Sequence, residues 1–576
     1  MVTTQTEAGT RRKAGGRDGQ ERGTRAALDV VLTDASLSPR QRFLPVTSSV
    51  KLAAALIRRP GRVARRAGGL AGALGRVATG AAEIEPTRGD RRFGDPAWRE
   101  SWLFRRLMQG YLAAREEVDG LIDDAELDLQ DERRMRFAIE NVLDALAPTN
   151  YPWSNPAALK AAIDTGGLSL ARGARNFVHD VSTPPRLPAS VDTSQFTVGK
   201  DLAVTPGAVV LRTEVFELVQ YAPQTDEVRS VPVLFVPPMI NKYYVVDLAP
   251  GRSLIEHYVR QGQQVLEISW RNPDERHGHW GLDTYADAIV EALDATADIT
   301  GNERAHVVGF CSGGIAAAAV AAHLAAVGDL ERLAGLTLPV CVIDNEHAGV
   351  ASALMSREIA ELAIAESARK GYLDGRALAG VFAWLRPNDL IWSYVANNYL
   401  LGKPPPAFDI LYWNADTTRM AAGLHRDFVQ LALDNSLAKP GALRIRGTPI
   451  DLSTVTTDAY LVAGITDHIT PWESCYRTTQ LLGGNCRFIL STSGHIQALV
   501  NPPGNERASH RTHADGNPPT AEEWFEGAAR HPGTWWADWD AWLARRSGPL
   551  KPAPDSLGSP KHKASGSAPG TYVLAT

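Results

Sequence analysis

The sequence predicts an α/β protein in two parts: a mostly α-helical N-terminal region, then a mostly parallel sheet covered by helices on both faces. Three observations carry this. Ile139, Val142, Leu143 and Leu146 follow the i, i+3, i+4, i+7 rule of a helix face, and Pro148 stops that helix after Ala147. Beyond about Asp192, short apolar runs alternate with helical stretches, as strands and their crossover helices do. One junction, "HVVGFCSGG" from His306 to Gly314, turns an apolar run into the Ala-rich "IAAAAVAAHLAA" at Gly309, Cys311 and Gly313.

In chain order, residues 1–47 are polar, Gly- and Arg-rich, and read as a disordered tail with no apolar core for a signal peptide. Residues 48–192 read as the helical domain. Within it, Lys51 to Val77 carries seven basic residues and no acidic one. That stretch either lies on an anionic or amphiphilic surface or is a loosely helical linker, broken by Pro60 and its glycines. Residues 193–548 read as the catalytic domain and 549–576 as a C-terminal tail. The strands expected are "VPVLFVPP", "QQVLEISW", "AHVVGF", "LAGLTLPVCVI", "DAYLVAG" and "CRFIL", with "HWGLDTYADAIVEALDAT" as a helix beside the third. About a hundred residues separate the fourth and fifth strands. A connection of that length, rich in Trp, Tyr, Phe and Pro, reads as a cap over about 345–450.

Composition narrows the function. A 44% hydrophobic and 22% charged chain is globular, and a net charge of −5 gives no overall attraction to nucleic acid. Four cysteines without paired spacing argue for a reducing, cytosolic compartment rather than a disulfide framework. No apolar run reaches the roughly 20 residues of a membrane span. His277 and His279 have no carboxylate or thiol cluster at ligand spacing, so a loop role is expected and no metal. There is no phosphate-binding glycine loop, and no cofactor is expected.

The chemistry is concentrated at three strand ends. Gly-x-Cys-x-Gly has the form of the nucleophile elbow of the α/β-hydrolase fold, with a thiol in the serine position. Asp467 follows "AYLVAG" and His495 follows "CRFIL", so the order Cys311, Asp467, His495 is the nucleophile, acid, histidine order of that fold. A neutral thiol needs a base, which His495 supplies; Asp467 orients the imidazole. The backbone N–H of Ser312 and that of Ile240 are the expected oxyanion donors. Asn241, Tyr243 and His468 are expected to support the site. Cys341, on an apolar strand, reads as a core residue. A thiol accepts an acyl group from another thioester with little change in free energy, so acyl transfer to an alcohol is the reaction suggested, with water excluded.

The stretches "GFCSGG", "PPMINKYYVVDLAP", "SWRNPD", "LRPNDLIWSYVANNYL", "FDILYWNADTTRM", "GITDHITPW" and "SGHIQALVNPPGN" together resemble the polyhydroxyalkanoate synthases of the single-subunit classes. The resemblance runs from about Phe93 to "WWADWDAWLARRSG". It implies a polymerase that joins (R)-3-hydroxyacyl-coenzyme A into storage polyester and releases coenzyme A. Cys311 would carry the acyl group, His495 would be its base, and Asp467 would be the third member or the activator of the incoming 3-hydroxyl. The resemblance also implies a homodimer, contact of the helical domain with the growing polyester and granule surface, phasin-type partners, and a cytoplasmic, granule-bound location. "GITDHITPWESCYR" is closest to the medium-chain-length class, from which the basic N-terminus departs. A thioesterase or esterase on the same fold and a granule-coating protein are the competing readings.

Overall fold

The computed structural model of the chain describes residues 45–87, 89–345 and 357–576. The tail expected over 1–47 therefore lies outside the described residues except for its last three, as do residues 346–356 of the expected cap.

The N-terminal region is helical. Its long helices are α1 (Val46–Ile57), α2 (Pro60–Thr79), α3 (Trp102–Ala125), α4 (Leu129–Ala145) and α5 (Leu168–Ser182). The basic stretch forms two helices that meet at Arg58 and Arg59, and its Arg58, Arg65 and Arg76 side chains are exposed. Pro60 occupies the first turn of α2, where a missing N–H costs nothing, and of the α2 glycines only Gly69 meets α3, where a Cβ would come 2.5 Å from a Glu117 side-chain oxygen. Four of its seven basic side chains pair with acids of the neighbouring helices: Lys51 with Asp128 and Asp131, Arg59 and Arg62 with Glu126, Arg66 with Asp124. Val142 of α4 and Leu146 just after it face outward, while Asp131, Asn141 and Asp144 of α4 are buried. The reason is an ion-pair cluster: Asp144 accepts from both Arg92 and Arg115, at 3.2 and 2.5 Å.

The second part is built on an eleven-stranded sheet. In chain order its strands are β1 (Gly207–Arg212), β2 (Phe216–Tyr221), β3 (Val233–Val236), β4 (Val265–Trp270), β5 (Ala305–Gly309), β6 (Leu333–Pro339), β7 (Ala459–Gly464), β8 (Cys486–Ser491), β9 (Ser509–Thr512), β10 (Ala529–Pro532) and β11 (Gly566–Ser567). Across the sheet they run β10-β9-β8-β7-β6-β5-β3-β4-β2-β1-β11. The block β8-β7-β6-β5-β3-β4 is parallel and the flanking strands are antiparallel. The central strands β3, β5, β6 and β7 are buried along their whole length, as strands covered on both faces must be. Helix α6 (Ser312–Val327) crosses one face, its alanines letting it lie close to the sheet. The Trp-rich helix at Trp536–Ala544 covers the other, where Trp539 Nε1 donates to Thr337 Oγ1 of β6 at 3.1 Å.

Residues 549–576 are not a loose tail. β11 pairs with β1, Val573 is buried, and the Arg271 guanidinium lies 4.3 Å from the Tyr572 ring. The segment between β6 and β7 forms a helical cap that includes Gly375–Leu385, two π-helical turns at Asn388–Trp392 and Val395–Leu400, and Ala422–Asp434.

Candidate active site

The elbow between β5 and α6 sets the geometry. Cys311 has φ +50° and ψ −119°, a conformation an L-residue adopts only when its surroundings impose it. They do: Phe310 N–H donates to Val236 O and Cys311 N–H to Pro339 O, both at 3.1 Å, so the turn is pinned to β3 and β6. Close approach explains the flanking glycines. A Cβ at Gly313 would come 2.4 Å from Val236 O, and one at Gly309 would come 2.7 Å from the Cα of Gly314. The thiol is thereby held at the strand end with its side chain on a cavity.

His495 begins a short helix after β8 and is buried, as is Asp467 in the turn after β7. His495 Nδ1 and Asp467 Oδ2 lie 2.7 Å apart, and Cys311 and His495 line the same cavity. Burial opposes the imidazolium charge, but the Asp467 carboxylate outweighs it, with a further contribution from Cys311, and the His495 pKa is raised to about 10. For Asp467, burial likewise opposes its charge, and the facing imidazole holds the carboxyl below its usual range. The three residues that the sequence singled out are thus in one place.

Thr470 was not among them. Its hydroxyl donates to Asp467 Oδ2 at 2.6 Å and lies 3.1 Å from His495 Nδ1, while Asp467 Oδ1 accepts the N–H groups of Ile469 and Thr470 at 2.8 and 3.0 Å. The readable signal was the Asp-x-x-Thr turn itself, in which a carboxylate captures the N–H groups two and three residues on. Both Asp467 oxygens are engaged, and the carboxylate sits behind His495 rather than on the cavity wall.

The other expected residues separate. The Ser312 hydroxyl accepts the Met239 N–H at 3.3 Å, which draws the loop after β3 over the elbow and leaves Ile240 on the cavity. Asn241 lines the cavity and forms a β-bridge with Thr417 of the cap. His468 also lines it, half-buried, its pKa lowered to about 4 by burial. Tyr243 does not line the cavity: its ring is buried in the core with Tyr244 and Val245, because the loop after β3 turns inward there. The residue between them does the supporting instead. The Lys242 ammonium, buried, pairs with Asp416 of the cap at 2.7 Å, and Lys242 O accepts from Trp413 Nε1 at 2.7 Å.

Of the four cysteines, Cys311 lines the cavity, while Cys341 and Cys475 are buried, and burial pushes their thiols well above the usual range. His277 serves its loop, accepting the Asp274 N–H at 3.1 Å. Among the described residues no group of three or more His, Cys, Asp or Glu side chains could hold a metal ion, and no helix is long and apolar enough to cross a membrane.

The cavity has a volume of about 1480 Å³. Its wall joins Cys311 and His495 to the cap, through Arg386, Leu390 and Trp413, and to the end of the N-terminal region.

Residues 89–258 match the family described as poly-beta-hydroxybutyrate polymerase (PhaC) N-terminus, and residues 232–502 match the alpha/beta hydrolase fold. Poly(3-hydroxyalkanoate) polymerase 1 of Ectopseudomonas oleovorans is 46% identical over 500 residues, 87% of this chain and 89% of that protein. The chain belongs to the poly(3-hydroxyalkanoate) polymerase family. Polymerase 2 of the same organism is 44% identical, over 90% of this chain and 92% of its own. The Cupriavidus necator poly(3-hydroxyalkanoate) polymerase subunit PhaC is 39% identical, over 87% and 85% respectively. This family member is an enzyme, an acyltransferase, on an α/β-hydrolase fold with a cap inserted between β6 and β7 and a helical region before it.

Proposed function

We infer that this enzyme polymerises (R)-3-hydroxyacyl-coenzyme A into polyhydroxyalkanoate through a thioester on Cys311. The observation that carries the reading is a Cys-His-Asp cluster opening on a chamber of about 1480 Å³. Small-ligand pockets run to roughly 1,000 Å³. A hydrolase has to hold one acyl chain and water, whereas a polymerase has to hold two acyl chains together.

The proton accounting follows from the raised pKa of His495. Cys311 attacks the substrate carbonyl as a thiolate while His495 holds the proton beside Asp467. The N–H groups of Ser312 and Ile240 stabilise the oxyanion. Coenzyme A leaves with the proton from His495, which becomes neutral. The imidazole then takes the proton from the 3-hydroxyl of a second acyl group as that oxygen attacks the Cys311 thioester. An ester forms, and Cys311 departs as a thiolate beside the recharged His495. Asp467, engaged on both oxygens, orients the imidazole throughout. The substrate supplies the only energy required, so no cofactor or metal enters.

The exposed apolar side chains of the helical region, among them Trp153 and Ile163 at 71% and 79% exposure, support contact of that region with the polyester and granule surface. A homodimer, phasin-type partners and a cytoplasmic, granule-bound location belong to the same reading. Purified protein supplied with 3-hydroxyacyl-coenzyme A of several lengths should release coenzyme A and form ester-linked polymer together. Stoichiometric free hydroxy acid in place of polymer would assign a thioesterase.

A further inference from the structure

The N-terminal region ends in a strap, residues 183–192, that lines the catalytic chamber. Thr183, Pro184, Pro185, Leu187, Pro188 and Val191 of this strap share the chamber wall with Cys311. We propose that Leu187, Pro188 and Val191 form a subsite for the acyl chain carried on Cys311, making the N-terminal region a determinant of chain-length preference. The occupant follows from the function proposed above; the wall itself is read from its own chemistry.

A backbone that lines an apolar subsite must not present unpaired donors to it. Pro184, Pro185 and Pro188 have no N–H to present. The N–H of Arg186 goes to Thr183 O at 2.9 Å, that of Ala189 to Asp180 Oδ2 at 3.0 Å, and that of Asp192 to Pro406 O at 3.1 Å. Ala189 O accepts from the buried Asn398 side chain at 2.7 Å. Three prolines and four paired N–H groups, those of Thr183, Arg186, Ala189 and Asp192, remove most of the strap's donors, and Leu187, Pro188 and Val191 form the aliphatic part of a wall that also carries Thr183, Ser190 and Asp192.

It is also held in register with the cap. Asp180, at the end of α5, accepts the Tyr399 hydroxyl at 2.8 Å with the same oxygen that takes the Ala189 N–H. Asn176 donates to Asn398 O at 3.0 Å, and Phe177 packs edge-on against Tyr399 with ring centres 5.4 Å apart. Helix α5 can approach this closely because residue 173 is glycine: a Cβ there would overlap Tyr399 O at 1.7 Å. Strap and cap thus form one wall of the chamber that holds Cys311.

The test uses full-length protein and N-ethyl- and N-decyl-iodoacetamide, which alkylate Cys311 without requiring turnover. Leu187 is half-buried, so Leu187→Trp and Leu187→Ser both leave the core untouched, and unchanged melting temperatures verify this. Leu187→Trp should lower the decyl-to-ethyl rate ratio at Cys311 about tenfold, the effect of displacing roughly two methylenes, and Leu187→Ser about threefold through lost contact. Preference for 3-hydroxydecanoyl- over 3-hydroxybutyryl-coenzyme A should shift in the same direction. A decyl-to-ethyl ratio within twofold of the parent in both variants would overturn the subsite. A shifted ratio in a protein that makes free acid instead of polymer would leave the subsite standing and overturn only the polymerase reading.

Discussion

His495 Nδ1 and Asp467 Oδ2 stand 2.7 Å apart, and every other hydrogen-bonding position recorded on that carboxylate is filled by Ile469 or Thr470. In the mechanism proposed above, Asp467 acts on the reaction through His495. Asp467→Asn should slow the first acylation of Cys311 and the later elongation by similar factors, on the order of 10⁴ if the loss resembles that of a triad orienter. Single-turnover acylation measured beside steady-state polymer growth checks this. Elongation lost by a much larger factor than acylation would return the hydroxyl-activating role to Asp467.

Thr470 supports the same pair. Thr470→Val removes a buried donor from Asp467 while keeping the shape of the side chain. The cost should be about 1–3 kcal/mol of stability, read by denaturant unfolding, since a buried carboxylate loses a partner. Activity should fall without a change in KM, because Thr470 does not line the chamber.

At the elbow, Cys311→Ala should abolish acylation while leaving the melting temperature within a few degrees, because alanine fits where cysteine does. Gly313→Ala should do the opposite in kind: its methyl group would press on Val236 O at 2.4 Å, so both folding yield and activity should fall. Thermal unfolding and coenzyme A release on the two variants separate the chemical defect from the steric one.

The order of the site was legible because its signals are local: a Gly-framed thiol on a strand-to-helix turn, and an Asp and a His at two later strand ends. What was hidden depended on contacts distant in sequence. The apolar spacing of Ile139, Val142, Leu143 and Leu146 marks a helix but not its buried side, because Arg92 and Arg115 draw Asp144 inward. Tyr243 looked like a site residue on the loop after β3, yet Lys242 is the one that reaches the cap, through Asp416, 174 positions further on. The lock of Asp180 and Asn176 onto the cap joins residues more than two hundred apart, which no periodicity reports.

The pH dependence has a defined sign. His495 has a folded pKa of about 10 against an ordinary 6.5, so its stabilising contribution is complete below 6.5 and is lost as the pH climbs toward 10. Asp467 is lowered from 3.8, so its contribution is present above that value and is lost as acid protonates it in the fold. In His495→Gln the loss of stability between pH 6.5 and 10 should flatten, by up to roughly 1.4 kcal/mol per pH unit. In Asp467→Asn the alkaline limb of Cys311 acylation should move to lower pH, because the carboxylate that holds the proton on His495 is gone. Unfolding free energies and stopped-flow acylation across that range measure both.

The central claim is that the acyl group passes through Cys311. Mixing the enzyme with one equivalent of 3-hydroxyacyl-coenzyme A, quenching in acid within the first turnover and weighing the intact protein tests it directly. The account predicts a mass increase of one hydroxyacyl group, mapped to the peptide containing Cys311, matched by one equivalent of coenzyme A and absent in Cys311→Ala. Coenzyme A release at the normal rate with no adduct on Cys311, or persisting in Cys311→Ala, would contradict it.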